Sequence, residues 1–254
     1  MLSLLSKEHL TRAIVTSQSN GAPASLLLTS PWCWDVTLVS PCAYTRKGWE
    51  MLFSEPAMPG TLSGVTIVDS VDALHIHASR FGHTSSCSLA RSLIVHLPPF
   101  PSAALLLLLQ LGSGKAGLAH YHQLIVCSPF SRDVTRTALM GVGIPGGGRI
   151  TPGRQPLAAL FRAAVGRPVP CGRDALARDF FSRSRKVERL PLLPDIRLTS
   201  TELRVLQQSL REVSVHWQAK LNFVSTKTIY THRRNALAKF GCRSVMDLLK
   251  MFSA

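Results

Sequence analysis

The stretch Ser225 to Phe240, STKTIYTHRRNALAKF, gathers side chains suited to meeting an anion. Lys227, Arg233, Arg234 and Lys239 are cationic and His232 adds a fifth basic group. Tyr230 and Thr231 can hydrogen-bond, and no acidic residue interrupts the run. Ile229, Ala236 and Phe240 recur at steps of seven and four, which places them on one helical face as core. The opposite face then falls to Lys227, Tyr230, Thr231, Arg234 and Ala238. Such a helix fits a DNA major groove, where Arg and Lys contact guanine or phosphate. In that setting Arg234 and Tyr230 would read bases, while Lys227, Arg233 and Lys239 would meet phosphates. Basic amphipathic helices also occur on ordinary protein surfaces, so charge alone leaves a solvated face as the competing reading.

The surrounding elements must hold that face outward. Upstream, LTSTELRVLQQSL opens with Thr199 as N-cap and Glu202 three residues on, a capping box before Leu203, Leu206 and Leu210. A short helix around VHWQAKL follows, then a turn through Asn222 to Ser225, whose hydroxyl can cap a helix beginning at Thr226. The last helix, SVMDLLKMF, starts with a second capping box, Ser244 with Asp247, and carries the apolar stripe Val245, Leu248, Leu249 and Phe252. From Ile196 to the end, 10 Lys and Arg face 3 Asp and Glu, a local net charge of +7.

LTSTELRVL and STKTIYTHRRNALAKF, in this order, resemble the LuxR-type helix-turn-helix pattern LTxxExxVL followed by SxKTVxxHxxxIxxKL. The resemblance covers residues 196–254 and implies a four-helix DNA-binding domain. Lys227 and Thr228 then start the recognition helix, His232 matches the family's histidine, and Tyr230, Thr231 and Arg234 match its groove-facing positions. The implied DNA-binding set is Ser225, Lys227, Thr228, Tyr230, Thr231, Arg233, Arg234 and Lys239. The family uses its last helix for dimerisation, which assigns Val245, Leu248, Leu249 and Phe252 to that role, with packing against the domain itself as the alternative. The sequence departs from the pattern in three places. Glu212 stands for the glycine after the first helix, Trp217 and Gln218 replace the usual Ile-Ala, and the turn LNFVS reads as one residue longer than the common form.

The whole chain has 254 residues, with 29 Lys and Arg against 14 Asp and Glu, a formal +15 that favours an acidic partner. Hydrophobic residues at 46% against 17% charged predict a largely globular chain. The six cysteines, at 33, 42, 87, 127, 171 and 242, form no CxxC pair and no zinc spacing, as expected of a reduced cytosolic protein without metal or cofactor. AALLLLLQLG, residues 103–112, is apolar but too short to cross a bilayer, which takes about 18 residues or more. It is expected to be a buried helix, and no membrane partner is expected. The N-terminus lacks a secretory pattern because Lys7 and Glu8 break its apolar run. The expected location is therefore cytoplasmic, at the nucleoid.

Residues 1–35 form an N-terminal extension without an assigned role. Residues 36–166 alternate strand runs, VTLVS, VTIVD, SLIVHL, QLIVCS and a weaker GRIT, with five helical segments. That order predicts an α/β, doubly wound, parallel five-stranded domain. Residues 167–195 read as a basic, proline-framed linker with a short helix near 175–182. The five-fold β/α order ahead of a LuxR-type domain resembles the receiver domain of response regulators. The family's acidic positions after the first strand fall on Ser40 and Pro41, its phosphorylatable Asp on His96, its Thr or Ser on Cys127 or Ser128, and its Lys on Thr151. Phosphoryl transfer needs a carboxylate nucleophile and oxygen ligands for Mg²⁺, so a pseudo-receiver is expected.

SPCAYTRKGWEMLF and KTIYTHRRNALAKF look like the enterobacterial auxiliary regulators of capsule and fimbrial genes. This implies a transcription regulator bound to double-stranded DNA, read as an activator, working as a homodimer or as a heterodimer with another LuxR-type response regulator. The alternative is an interaction adaptor that pairs with a phosphorylatable regulator, with DNA contact secondary. An enzyme using Cys127 or His96 finds no support, since GIPGGG lacks both a strong preceding strand and a following Lys-Ser/Thr.

Overall fold

The computed structural model describes residues 33–54, 62–79, 89–114, 118–144, 148–165 and 197–253. The 167–195 linker with its short helix, and the extension up to residue 32, lie outside the described residues. Five strands, β1 (Cys33–Val39), β2 (Leu62–Val68), β3 (Leu89–His96), β4 (Gln123–Ser128) and β5 (Gly148–Pro152), form one parallel sheet in the order β2-β1-β3-β4-β5. Between and after them run α1 (Ala43–Phe53), α2 (Val71–Ser79), α3 (Pro101–Ser113), α4 (Arg132–Gly141) and α5 (Leu157–Ala164). This is the expected doubly wound, receiver-like domain. Strands β1 to β3 each start three residues before their β-branched runs. Their ladders continue through polar positions such as Asp35 and Arg91, which are register partners and whose side chains lie 3.9 Å apart.

The sheet buries both faces, as parallel sheets do. One face, with Trp34, Val36, Leu38, Ile94 and Ile125, packs on Trp49 and Leu52 of α1 and Leu160 of α5. The other, with Val39, Leu93, Val95, Leu124 and Val126, packs on α2, α3 and α4. Among the described residues four further helices follow: α6 (Ser200–Leu210), α7 (Val215–Asn222), α8 (Thr226–Lys239) and α9 (Val245–Met251).

Helix α3 is apolar on nearly every side, burying Ala104, Leu105, Leu107, Leu108, Leu109 and Leu111. A helix of that kind must be covered all round. The sheet covers one side, and the four-helix domain covers the other. Leu198, Leu203, Leu206, Ala236, Leu237, Phe240, Leu248 and Phe252 belong to the same buried cluster as the α3 and α4 side chains. Two glycines admit this approach. A Cβ on Gly112 would lie 2.6 Å from Val142 Cβ and 3.2 Å from Leu203 Cδ1, and one on Gly141 would lie 2.6 Å from the Phe240 ring. The Leu198 amide donates to the Gly141 carbonyl at 2.7 Å, and Gln207 Nε2 donates to Ser113 Oγ at 2.9 Å.

Candidate nucleic-acid interface

Each helix of the C-terminal domain begins where its sequence provides a cap. Thr199 Oγ1 accepts from the Glu202 amide while Glu202 Oε2 accepts from the Thr199 amide, and Ser244 with Asp247 repeats the arrangement at α9. Ser214 and Ser225 cap α7 and α8 through the amides of Trp217 and Thr228. Glu212, between α6 and α7, has φ of 60°, the left-handed conformation that the glycine of the LuxR-type pattern would supply. The inward residues of α7 are Gln218 and Ala219, whereas Trp217 is exposed. The register is therefore one residue later than the pattern alone predicts. Ala219 takes the alanine place, Gln218 the isoleucine place, and the apparent extra residue in the turn disappears. A buried glutamine is held there because its Nε2 donates to Val213 O at 2.7 Å and to Ser209 Oγ at 3.3 Å.

Helix α8 with its C-cap Phe240 buries Ile229, Ala236, Leu237 and Phe240, and exposes Lys227, Tyr230, Thr231, Arg234 and Ala238. The outer face inferred from periodicity is thus open and carries no acid. Ser225 is spent on its capping role, with Thr228 at 2.8 Å from its hydroxyl. The Arg233 guanidinium stacks over the Tyr230 ring at 5.0 Å, which pairs the two side chains on one surface.

Lys239 does not belong with them. Its ammonium donates to Glu202 Oε2 at 2.7 Å and to the Arg197 carbonyl at 2.8 Å, so it ties α8 to the start of α6 and is not directed at a phosphate. Burial would raise the Glu202 carboxyl, but the bonds from Lys239 and from Thr199 outweigh it and leave the group below its ordinary value. The stripe on α9 also divides. Leu248 and Phe252 are buried in the chain's own core, Phe252 edge-on to Phe130 of the α/β domain at 5.2 Å, while Val245 and Leu249 are half-buried. In this arrangement half of the expected dimerisation stripe is covered from within.

No family model matches the chain, and no curated protein matches it. Among solved structures it is similar to RcsB from Salmonella enterica serovar Typhimurium bound to promoter rprA in the presence of phosphomimetic BeF3-. The identity is 19%, with 87% of this chain and 99% of that chain covered and a TM-score of 0.45. It is similar also to RcsB in a structure of two dimers bound to two parallel DNAs, at 18% identity, 87% and 100% coverage and a TM-score of 0.44. A third similarity is to the response regulator StyR, at 19% identity, 87% and 98% coverage and a TM-score of 0.31.

At the carboxyl edge of the sheet, Ser40 follows β1 and is fully buried, and Arg46 Nη1 donates to the carbonyls of Ser40 and Pro41 at 2.8 and 3.0 Å. A guanidinium thus stands where the receiver pattern places metal-holding acids. His96 ends β3, and its burial lowers its pKa, which favours the neutral ring. Ser128 and Thr135 share a hydrogen bond at 2.8 Å. Cys127 is buried and its thiol is pushed up by that burial, the opposite of what a thiolate nucleophile needs. Among the described residues no group of three or more His, Cys, Asp or Glu could hold a metal ion, and no helix is long and apolar enough to cross a membrane.

Proposed function

We propose that the chain is a sequence-specific DNA-binding transcription regulator, read as an activator, whose helix α8 enters the major groove of double-stranded DNA. The observation that carries this is the outward, acid-free face of Lys227, Tyr230, Thr231 and Arg234 on a helix whose other side is locked into the core. Arg234 and Tyr230 read bases, and Lys227 with Arg233 meets phosphates. The regulator is not switched by its own phosphorylation. Support comes from Ser40, Pro41 and His96 at the positions where that chemistry needs carboxylates, and from the Arg46 guanidinium seated on the β1 carbonyls.

It acts as a dimer through α9, either with a second copy or with another LuxR-type regulator. The alternative reading is an interaction adaptor that heterodimerises with a phosphorylatable response regulator, with DNA contact secondary; the burial of Leu248 and Phe252 in the chain's own core supports it, since it leaves less of α9 for a second copy.

The test is selection of a DNA motif with the purified protein, alone and with a candidate response regulator, followed by two substitutions. Arg234→Ala should cost about 1–3 kcal/mol on the selected motif and far less on random DNA. Lys227→Ala should weaken both about equally and reduce the slope of log affinity against log salt by about one. Equal losses on motif and random DNA for Arg234→Ala would remove the base-reading role.

A further inference from the structure

Between the loops that follow β4 and β5 the α/β domain has a cleft of about 500 Å³, lined chiefly by Phe130, Arg132, Ile150, Thr151, Pro152 and Arg154. We propose that this cleft is a binding site for a small phosphate monoester with an apolar body. The proposal does not rest on the DNA-binding reading, since the cleft lies on the other domain.

Four observations carry it. The cleft sits outside the carboxyl ends of the parallel strands β4 and β5, on the edge of the sheet that carries ligands in open α/β folds, two strands from the switch point between β1 and β3. Its volume falls within the range of small-molecule sites, roughly 300–1,000 Å³, and its walls are mainly apolar with few polar groups, as such sites are. Among the described residues its charged lining consists of two arginines, both exposed and without an ion pair or hydrogen bond there, which makes the cleft cationic and suited to an anion. Finally, Gly153 lets the loop after β5 pack directly on the loop after β4, which fixes that side of the cleft. Its amide donates to the Ser128 carbonyl at 2.7 Å, and a Cβ there would crowd the Ser128 and Pro129 backbone at 3.3 Å. Asp133, next to Arg132, lies outside the lining with its carboxylate toward Arg136 at 3.9 Å, so it does not neutralise the cleft. Phe130 lines the cleft and also meets Phe252, so an occupant would touch the side chain that anchors α9.

The experiment is isothermal titration of the full chain with phenyl phosphate, with inorganic phosphate and with benzyl alcohol. Saturable binding of phenyl phosphate is expected, with inorganic phosphate at least about tenfold weaker and benzyl alcohol weaker still. Arg132→Ala and Arg154→Ala should each lower the phenyl phosphate affinity about tenfold, as the loss of a hydrogen bond to a charged group does. Both side chains are exposed, so the variants should keep the parent circular dichroism. Arg149→Ala, on β5 but outside the lining, and Arg234→Ala, on α8, should change nothing. No saturable binding, or binding that survives the Arg132/Arg154 double substitution, would overturn the proposal. So would binding lost in Arg234→Ala, because it would place the anion on α8.

Discussion

Glu212 and Phe223 are the two residues other than glycine with positive φ, at 60° and 54° among the described residues. A side chain in that conformation costs roughly 1–2 kcal/mol, because Cβ crowds the following carbonyl. Glycine removes the crowding but gives back about 0.4–1 kcal/mol through the freer unfolded chain. Glu212→Gly should therefore raise stability by about 0.5–1 kcal/mol, seen as a higher urea midpoint at unchanged slope; a lower midpoint would mean that the Glu212 side chain contributes contacts of its own. The Glu212 position was legible in the sequence, since a pattern that normally places glycine there marks a left-handed residue. Phe223 was not, because nothing in LNFVS singles out one residue to close α7.

Between elements, Lys239 and Glu202 join α8 to the capped end of α6. Because the folded Glu202 carboxyl lies below its ordinary value of 4.5, its contribution is fully present above that pH and is lost as pH falls through the lowered value. Lys239→Met should leave Glu202 with only its Thr199 bonds, at a cost of about 1–3 kcal/mol near neutral pH. The gap between variant and parent should narrow as the solution is acidified below 4.5, measured as denaturation midpoints against pH. An unchanged gap in acid would detach the effect from this carboxylate. The same variant should bind DNA with an unaltered salt slope, unlike Lys227→Ala, because the Lys239 ammonium is already engaged.

At the scale of the whole molecule, the α/β domain and the four-helix domain share one core through α3, α4, α6, α8 and α9. Phe240 lies against the bare backbone of Gly141, so Gly141→Leu would overpack that contact at a cost of about 1–3 kcal/mol. The expected result is that thermal unfolding, cooperative in the parent, splits into two transitions. Sedimentation should then show association at lower concentration, as Leu248 and Phe252 come free. A variant that stays monomeric with its domains parted would sever α9 from dimerisation.

The β/α order, the capped helix starts and the outer face of α8 were determined by the sequence itself. Periodicity and capping act within a few residues and need no knowledge of distant neighbours. The apolar circumference of α3 also announced burial on all sides, though not what would cover it. Only the tertiary structure decided that the covering surface is the four-helix domain. It likewise decided that Lys239 serves Glu202 and not a phosphate, that Gln218 rather than Trp217 turns inward, and that Leu248 and Phe252 are occupied within the chain. A side chain's partner depends on which elements arrive beside it, and those here come from far along the chain, as Gln207 meets Ser113 and Phe252 meets Phe130. A cation or an apolar stripe reads the same in sequence whether its partner is a phosphate, another chain or its own core.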